Sequence, residues 1–244
     1  MLGLPEAITA CLFDMDGVIT QTAKVHDAAW KEMFDDFLRD WSASHNQPFV
    51  PFDPAGDYDQ YVDGKPRLEG TASFLKSRGI ELPMGEESDA AGTATIWGLS
   101  NKKNDLVQTV IQRDGVQPYE GSVRYVNAVR AAGLHTAIVS SSANTVAVLK
   151  AAGVENLFEV RVDHQVAEAD NLRGKPAPDT FLEAARLLGV SPANATVYED
   201  ALAGVAAGRA GHFGFVVGVD RVGQADQLHA HGADVVVKDL ADLL

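Results

Sequence analysis

The sequence predicts an α/β protein in which an all-helical domain interrupts a parallel, doubly wound sheet. After Gly115, short apolar runs alternate with segments of helical period, an order typical of βαβ units and a parallel sheet. Between Thr20 and Gly115 the period is helical and no run reads as a clear strand. We therefore expect an α/β core from residues 1–20 and 117–244, and a helical cap domain from residues 21–116.

The first element is a strand at residues 9–13, an apolar run that leads directly into two aspartates. A helix is expected next, because apolar side chains recur every four residues at Val25, Ala29, Met33, Phe37 and Trp41. The stretch QPFVPFDPAGD, which follows, is too rich in proline for regular structure. Two more segments of helical period complete the insert, LEGTASFLKSRG and NDLVQTVIQRDG.

The elements after the insert alternate between helix and strand. Helices are expected at VRYVNAVRAAG, TVAVLKAAG, DTFLEAARLLG, ALAGVAAGRAG and QADQLHAHG. Strands are expected between and after them, at HTAIVS, FEVRV, ATVYE, FGFVVGV and ADVVV. Three of the helices are expected to end at glycines, namely Gly133, Gly153 and Gly189, because glycine readily adopts the left-handed conformation found at helix C-termini.

Composition and charge restrict the class of protein. The chain of 244 residues has 20 Lys and Arg against 34 Asp and Glu, and its formal charge of −14 argues against a nucleic-acid partner. Its single cysteine, Cys11, permits no intramolecular disulfide. The sequence shows no secretory leader and no run of about 18 apolar residues. We therefore expect a cytoplasmic monomer that does not bind membranes.

Polar side chains follow several of the predicted strands. Sites in open parallel sheets lie beyond the carboxyl ends of the strands, so we expect these side chains to converge. They are Asp14, Asp16, Ser140, Ser142, Asn144, Lys175, Glu199 and Asp200.

Such a set is suited to phosphoryl transfer. Four carboxylates at one point repel each other unless a cation lies among them, and oxygen ligands favour Mg²⁺. The Asp14 carboxylate would then act as a nucleophile, and Asp16 as the acid and base at the leaving or attacking oxygen. Ser140 and Lys175 would hold the phosphoryl oxygens.

Each motif taken alone also has a purely structural interpretation. DMDG suits a turn, and it begins like a calcium loop, although Gly17 comes too early for one. The run SSSAN and the pair Glu199 and Asp200 suit helix caps, and Lys175 suits a solvated loop. It is the order of these motifs along successive strands that favours one shared catalytic site.

The motifs resemble those of the haloacid dehalogenase superfamily of phosphotransferases, along the whole chain. LFDMDGVIT looks like the first motif of that family, IVSSSAN the second, GKPAPDTF the third and VYEDALAGVAAGRAG the fourth. The resemblance implies a Rossmann-like core with a cap domain, Asp14 as the phosphorylated nucleophile and Asp16 as the general acid and base. It also implies Mg²⁺ held by Asp14, the Asp16 carbonyl and Asp200, with Glu199 close by.

Within that superfamily the chain is similar to the β-phosphoglucomutase subgroup. TQTAKVHDAAW, VDGKPR and KKND look like cap segments of the subgroup. The similarity implies that five cap residues contact the substrate: His26, Trp30, Gly64, Arg67 and Lys103. Arg67, with Ser142 and Asn144 of the core, would bind the phosphate that is not being transferred.

Three positions depart from this pattern. Ala143 stands where some members have a phosphate-binding lysine, and Lys65 lies in the cap loop where others are neutral. Either a cation has moved from core to cap, so that Lys65 contacts the substrate, or the sugar phosphate differs. Ala201 replaces a common serine, without an expected consequence. His26 and Trp30, four residues apart on one helix face, are also compatible with ordinary packing.

The resemblance implies an enzyme that isomerises β-D-glucose 1-phosphate to glucose 6-phosphate through a 1,6-bisphosphate. This reaction needs a cap that excludes water, because a phosphoaspartate otherwise hydrolyses. The alternative is a Mg²⁺-dependent sugar-phosphate phosphatase with the same residues. A signalling receiver domain shares the parallel core, the aspartate and the lysine, but needs neither the helical insert nor Asp16. A non-catalytic metal-binding protein also stays open.

Overall fold

The computed structural model describes residues 2–54, 56–62 and 65–244, apart from the side chain of Asp59. The chain divides into two compact units, one from Met1–Thr22 with Val116–Leu244 and one from Ala23–Gly115. We call the first the α/β unit and the second the helical unit. Within the described residues, no helix is long and apolar enough to cross a membrane.

The described residues of the helical unit form the helices α1 (Ala23–Ser44), α2 (Gly56–Tyr61), α3 (Arg67–Ser77) and α4 (Ile96–Asp114). The core of the unit is aromatic: the Phe34 ring centroid lies 5.2 Å from that of Phe52 and 4.1 Å from that of Phe74. Helix α4 begins earlier than the sequence pattern predicted. The reason is an N-cap, since the Thr95 hydroxyl accepts a hydrogen bond from the backbone N–H of Gly98 at 2.9 Å.

The buried face of α1 differs from the predicted stripe. Its large buried side chains are Trp30, Met33, Phe34 and Leu38. Three residues of the predicted stripe are only partly buried, namely Val25, Phe37 and Trp41. A step of four residues turns about 40° beyond one helical turn, so a strict four-residue repeat winds around the helix, whereas alternating steps of three and four stay on one face. The prediction of a helix was correct, and the prediction of its buried face was wrong at these positions.

The strands of the α/β unit are β1 (Ala10–Phe13), β2 (His135–Val139), β3 (Val160–Val162), β4 (Ala195–Glu199), β5 (Phe215–Val219) and β6 (Val235–Val237). They form a six-stranded parallel sheet in the order β3-β2-β1-β4-β5-β6. All residues of β1 and β4 are buried, as expected for central strands covered on both faces. Phe13 is in register with Ile138 on one side and Tyr198 on the other, so the carboxyl ends of β2, β1 and β4 lie side by side. The predicted parallel α/β core with a helical insert is confirmed.

The helices of the α/β unit are α5 (Glu120–Ala131), α6 (Thr145–Ala151), α7 (His164–Ala169), α8 (Asp179–Leu188), α9 (Leu202–Ala210) and α10 (Ala225–His231). Helix α7 was not predicted, because the short polar segment HQVAEA has no apolar stripe. Its start depends on Asp163, whose Oδ1 accepts hydrogen bonds from the backbone N–H groups of Gln165 at 3.1 Å and Val166 at 3.2 Å.

Candidate active site

The segment after β1 is a tight turn that presents Asp14 and Asp16. The backbone N–H of Asp14 still donates to the carbonyl of Tyr198 on β4, at 2.9 Å. The chain then folds back, because the N–H groups of Ile19 and Thr20 both donate to the Met15 carbonyl. Gly17 has a φ of +80°, in the left-handed region that favours glycine. DMDG therefore forms a turn, as the sequence analysis allowed. This turn also places two carboxylates at the carboxyl edge of the sheet.

Lys175 lies within the site and is not a solvated loop lysine. Its ammonium donates to Asp14 Oδ1 and forms an ion pair with Glu199 Oε1 at 2.5 Å. The side chains are buried, with 9% of Lys175, 10% of Asp14 and 1% of Glu199 exposed. The ammonium also lies 5.0 Å from the ring centroid of Phe181, which shields it from one side. The first and fourth predicted motifs thus meet through a lysine of the third.

The charges in this cluster do not balance. Burial raises the pKa of the Asp14 carboxyl well above its ordinary value; Lys175 lowers it, while Glu199 and Asp16 raise it further. Burial alone would lower the pKa of the Lys175 ammonium, but the carboxylates of Asp14 and Glu199 outweigh that effect and raise it. A single ammonium thus leaves the carboxylates in excess, and an additional cation would stabilise their charged forms.

Asp14, Glu199 and Asp200 form a group that can hold a metal ion. One carboxylate oxygen from each lies within 4.8 Å of the others. A set of oxygen donors alone suits a hard divalent cation. Two glycines permit this close packing, because a Cβ at Gly17 would overlap the Asp200 carboxylate and one at Gly204 would overlap that of Glu199. The donor set and the excess negative charge both fit a divalent metal.

Asp16 is held beside this group by threonines that the sequence reasoning missed. Thr22 Oγ1 donates to Asp16 Oδ1, and the hydroxyls of Thr20 and Thr22 lie 3.2 Å apart. Thr20 Oγ1 also donates to the Met15 carbonyl at 3.1 Å. The signal in the sequence was slight, two threonines spaced by two residues after the turn. The side chain of Asp16 does not belong to the three-carboxylate group among the described residues, and a metal contact through its carbonyl stays a prediction.

The serine-rich loop after β2 is built from hydroxyls that accept backbone hydrogen bonds. Ser140 is buried, and its Oγ accepts from the N–H of Ser142 at 3.1 Å. Ser142 Oγ in turn accepts from the N–H of Asn144 at 3.1 Å, and α6 begins at the next residue. A hydroxyl that accepts in this way keeps its own proton to donate, for example to a phosphoryl oxygen. The loop therefore serves as a helix start and also retains hydrogen-bond donors.

Three of the predicted substrate contacts of the helical unit lie together. Lys103 on α4 donates from its ammonium to His26 Nδ1 on α1 at 2.9 Å. The same ammonium lies 4.8 Å from the ring centroid of Trp30, a distance suited to a cation–π interaction. Trp30 is buried and stacks on Phe34 at 5.2 Å between ring centroids. Trp30 thus has a packing role, and the substrate contacts of these residues stay predictions.

Arg67 is the first residue of α3, and Lys65 lies two residues before it. Arg67 is half-buried, and burial lowers the pKa of its guanidinium. The negative charges of Asp105 and Glu87 raise this pKa, but by less than burial lowers it. Lys65 is exposed, and its ammonium donates to the Tyr61 carbonyl at 3.1 Å and to Ser73 Oγ at 2.8 Å. Gly64, the other predicted contact in this loop, lies outside the described residues.

Known proteins resemble this chain over most of its length. A family model described as haloacid dehalogenase-like hydrolase matches residues 8–212. A β-phosphoglucomutase of Mycobacterium bovis is 55% identical over 247 aligned residues, covering all of this chain and 94% of the relative. A β-phosphoglucomutase of Bacillus subtilis is 32% identical, covering 96% of this chain and 91% of the relative. The solved structure of β-phosphoglucomutase from Clostridium difficile superposes with a TM-score of 0.75 at 25% identity, covering 97% of this chain and 93% of that one.

Proposed function

Because the chain belongs to the haloacid dehalogenase-like hydrolase family, and within it to the β-phosphoglucomutase-like subgroup, we propose that it isomerises β-D-glucose 1-phosphate to glucose 6-phosphate. The reaction passes through a 1,6-bisphosphate. The observation that carries this proposal is the 55% identity to a β-phosphoglucomutase over the whole chain. The buried Asp14, Lys175 and Glu199 cluster at the carboxyl edge of the sheet supports it.

Asp14 is the proposed nucleophile and carries the phosphoryl group as an aspartyl phosphate. The 6-hydroxyl of β-D-glucose 1-phosphate attacks this phosphorus, forming the new O–P bond as the bond to Asp14 breaks, and Asp16 accepts the hydroxyl proton. The 1,6-bisphosphate then reorients and returns its 1-phosphoryl group to Asp14. Asp16 donates its proton to the sugar oxygen that leaves, so glucose 6-phosphate is released and phospho-Asp14 is regenerated.

Lys175 and Ser140 are the proposed contacts of the transferring phosphoryl group. The Lys175 ammonium faces Asp14 Oδ1, where it can offset negative charge as the phosphoryl group moves. Asp14, Glu199 and Asp200, with the Asp16 carbonyl, would hold Mg²⁺, which supplies positive charge against the repulsion between carboxylate and phosphate.

Residues 21–116 are proposed to act as a cap domain that excludes water from phospho-Asp14. Substrate specificity would depend on six residues of this segment: His26, Trp30, Gly64, Lys65, Arg67 and Lys103. Arg67, together with Ser142 and Asn144, would bind the phosphate that is not being transferred. A guanidinium is suited to this role because it binds phosphate through two parallel hydrogen bonds.

The test follows glucose 6-phosphate and free phosphate in the same reaction. The protein is incubated with Mg²⁺, β-D-glucose 1-phosphate and a trace of β-D-glucose 1,6-bisphosphate. Glucose 6-phosphate with little free phosphate is expected, and Asp14→Ala should abolish its formation. The α-anomer serves as the control and should be a poor substrate, because its phosphate projects from C1 in the other direction. Free phosphate in stoichiometric amounts without glucose 6-phosphate would instead identify a phosphatase.

A further inference from the structure

The loop after β5, residues 220–224, contacts both segments that carry the proposed metal ligands. Arg221 Nε donates to the carbonyl of Gly17, the residue after Asp16, at 2.7 Å. Gln224 Nε2 donates to the carbonyl of Asp200 at 3.0 Å. One short loop thus holds the backbone on two sides of the carboxylate group. We call residues 220–224 the positioning loop.

The positioning loop has a defined conformation of its own. The backbone N–H of Asp220 donates to the Val237 carbonyl at 2.8 Å, which continues the pairing of β5 with β6. Asp220 Oδ1 accepts from the N–H groups of Gly223 at 2.7 Å and Gln224 at 2.8 Å. Such a carboxylate-closed turn fixes where the side chains of Arg221 and Gln224 begin.

The guanidinium of Arg221 is fixed independently of its contact with Gly17. Its Nη1 donates to the Lys238 carbonyl at 2.8 Å, and its Cζ lies 3.6 Å from the ring centroid of Tyr119. Only 15% of the side chain is exposed. Tyr119 itself donates its N–H to the Ile19 carbonyl at 2.8 Å. The arginine and the residue that it stacks on therefore both hold the turn after β1.

The position of Gly17 determines the spacing between the two proposed ligand segments. Its N–H donates to the Thr20 carbonyl at 2.9 Å, and its own carbonyl accepts from Arg221, so both sides of the residue are held. The Asp200 carboxylate packs directly on Gly17, where a Cβ would overlap it. A shift of the Gly17 backbone would therefore move the turn relative to Asp200.

We propose that Arg221 and Gln224 are positioning residues that hold the Asp16–Gly17 backbone and Asp200 at the separation a bound divalent cation needs. They act through backbone carbonyls and touch neither substrate nor metal. Removing residues that hold metal ligands in place without contacting the metal typically lowers metal affinity or activity by about 10–100-fold. The proposal rests on the metal-ligand roles given to Asp14, Asp16 and Asp200 under Proposed function.

The test compares Mg²⁺ binding by Arg221→Met, Gln224→Leu and wild-type protein, with calorimetric titration of Mg²⁺ in the absence of sugar phosphate. Arg221→Met is expected to weaken Mg²⁺ binding by about 10–100-fold and Gln224→Leu by about tenfold. Excess Mg²⁺ should restore most of the kcat of both variants and leave KM for the sugar phosphate near the wild-type value. Arg221→Lys should recover part of the affinity, since it keeps a donor and the charge.

Arg209→Met is the matched control. Arg209 also donates to a backbone carbonyl, that of Gly232, at 2.6 Å from Nη2, and it pairs with Asp234. Its loss is expected to lower the melting temperature without changing Mg²⁺ affinity.

Folded Arg221→Met and Gln224→Leu proteins with Mg²⁺ affinity within twofold of wild type would overturn the proposal, as would an equal loss of affinity in Arg209→Met. If Arg221→Met does not fold, Gln224→Leu alone decides. The isomerisation assay on wild-type protein tests the proposed function separately from these titrations.

Discussion

Replacing Lys175 with methionine tests the charge cluster most directly. Methionine has a similar length and is apolar, so it can retain the contact with Phe181 while removing the ammonium. The carboxylates of Asp14 and Glu199 then lose the cation that both of them contact. Turnover is expected to fall by about 10²–10³-fold, the loss typical when one hydrogen-bond donor to a reacting oxygen is removed.

The effect on stability follows from burial. With 9%, 10% and 1% of the three side chains exposed, this is a buried ion cluster. Removing one partner from such a cluster leaves uncompensated charge and costs about 3–5 kcal/mol of unfolding free energy. Lys102, which pairs with Asp36 at 2.8 Å with 31% and 43% of the side chains exposed, supplies the control. An exposed pair of that kind contributes about 0–1 kcal/mol, so Lys102→Met should change stability little.

The loss in Lys175→Met should depend on pH. The folded-state pKa of Asp14 already lies above its ordinary value of 3.8, and removal of Lys175 raises it further. A carboxyl group with a raised pKa binds its proton more tightly in the folded state, so its stabilising contribution is present at low pH and lost as pH rises through the folded pKa. The variant should therefore be closer to wild type in stability at pH 5 than at pH 8. Lys175 itself does not titrate in this window, because its raised pKa lies above it.

The assay is urea unfolding in EDTA, followed by far-UV circular dichroism at both pH values. Tryptophan fluorescence provides an internal reference, because all three tryptophans lie in the helical unit: Trp30, Trp41 and Trp97. Mg²⁺ in place of EDTA should recover part of the lost stability. A loss below about 1 kcal/mol at pH 8, equal to that of Lys102→Met, would refute the account of the cluster as a buried and coupled set of charges.

Two further predictions concern the reaction. Asp16→Ala is expected to lower kcat by about 10²–10⁴-fold in the isomerisation assay, because the general acid and base is lost; a kcat near that of wild type would remove Asp16 from the proton transfers. Arg67→Ala should reduce turnover of β-D-glucose 1-phosphate far more than hydrolysis of an aryl phosphate. Arg67 is proposed to bind the sugar phosphate that is not being transferred, whereas the one phosphate of an aryl phosphate is itself the group transferred. Arg113→Ala, at an exposed arginine paired with Asp114, is the control, and equal losses on both substrates would assign Arg67 a structural role.

Much of the fold could be predicted from local patterns. The central strands β1 and β4 are continuous apolar runs, because both of their faces are covered, and each run leads into a pair of carboxylates. The alternation of these runs with helical segments was enough to predict the parallel sheet and the helical insert. The buried face of α1 was predicted less well, since the packing of Phe34 against Phe52 and Phe74 selects the face that is buried.

For the candidate site, the sequence predicted the members, but only the tertiary structure shows which of them are buried and in contact. The sequence predicted Asp14, Lys175 and Glu199 as members of one site, but a lysine after a loop glycine looks the same whether it is solvated or buried. The Lys175 ammonium is a buried partner of Asp14, 161 residues away. Asp14 and Glu199 lie close together because β1 and β4 are neighbours in the sheet, and the loop before α8 brings Lys175 to both of them.

Arg221 and Gln224 show most clearly what could not be predicted from the sequence. No local pattern distinguishes them from solvent-exposed loop residues, and each acts on a backbone carbonyl, which every residue possesses. Their partners, Gly17 and Asp200, are determined by the strand order that places β5 next to β4 and β4 next to β1. The sequence by itself determined which chemical groups the site contains, because side-chain chemistry and strand periodicity are local properties. Only the tertiary structure decided which backbone atoms hold those groups in place, because such contacts depend on the three-dimensional neighbours of each loop.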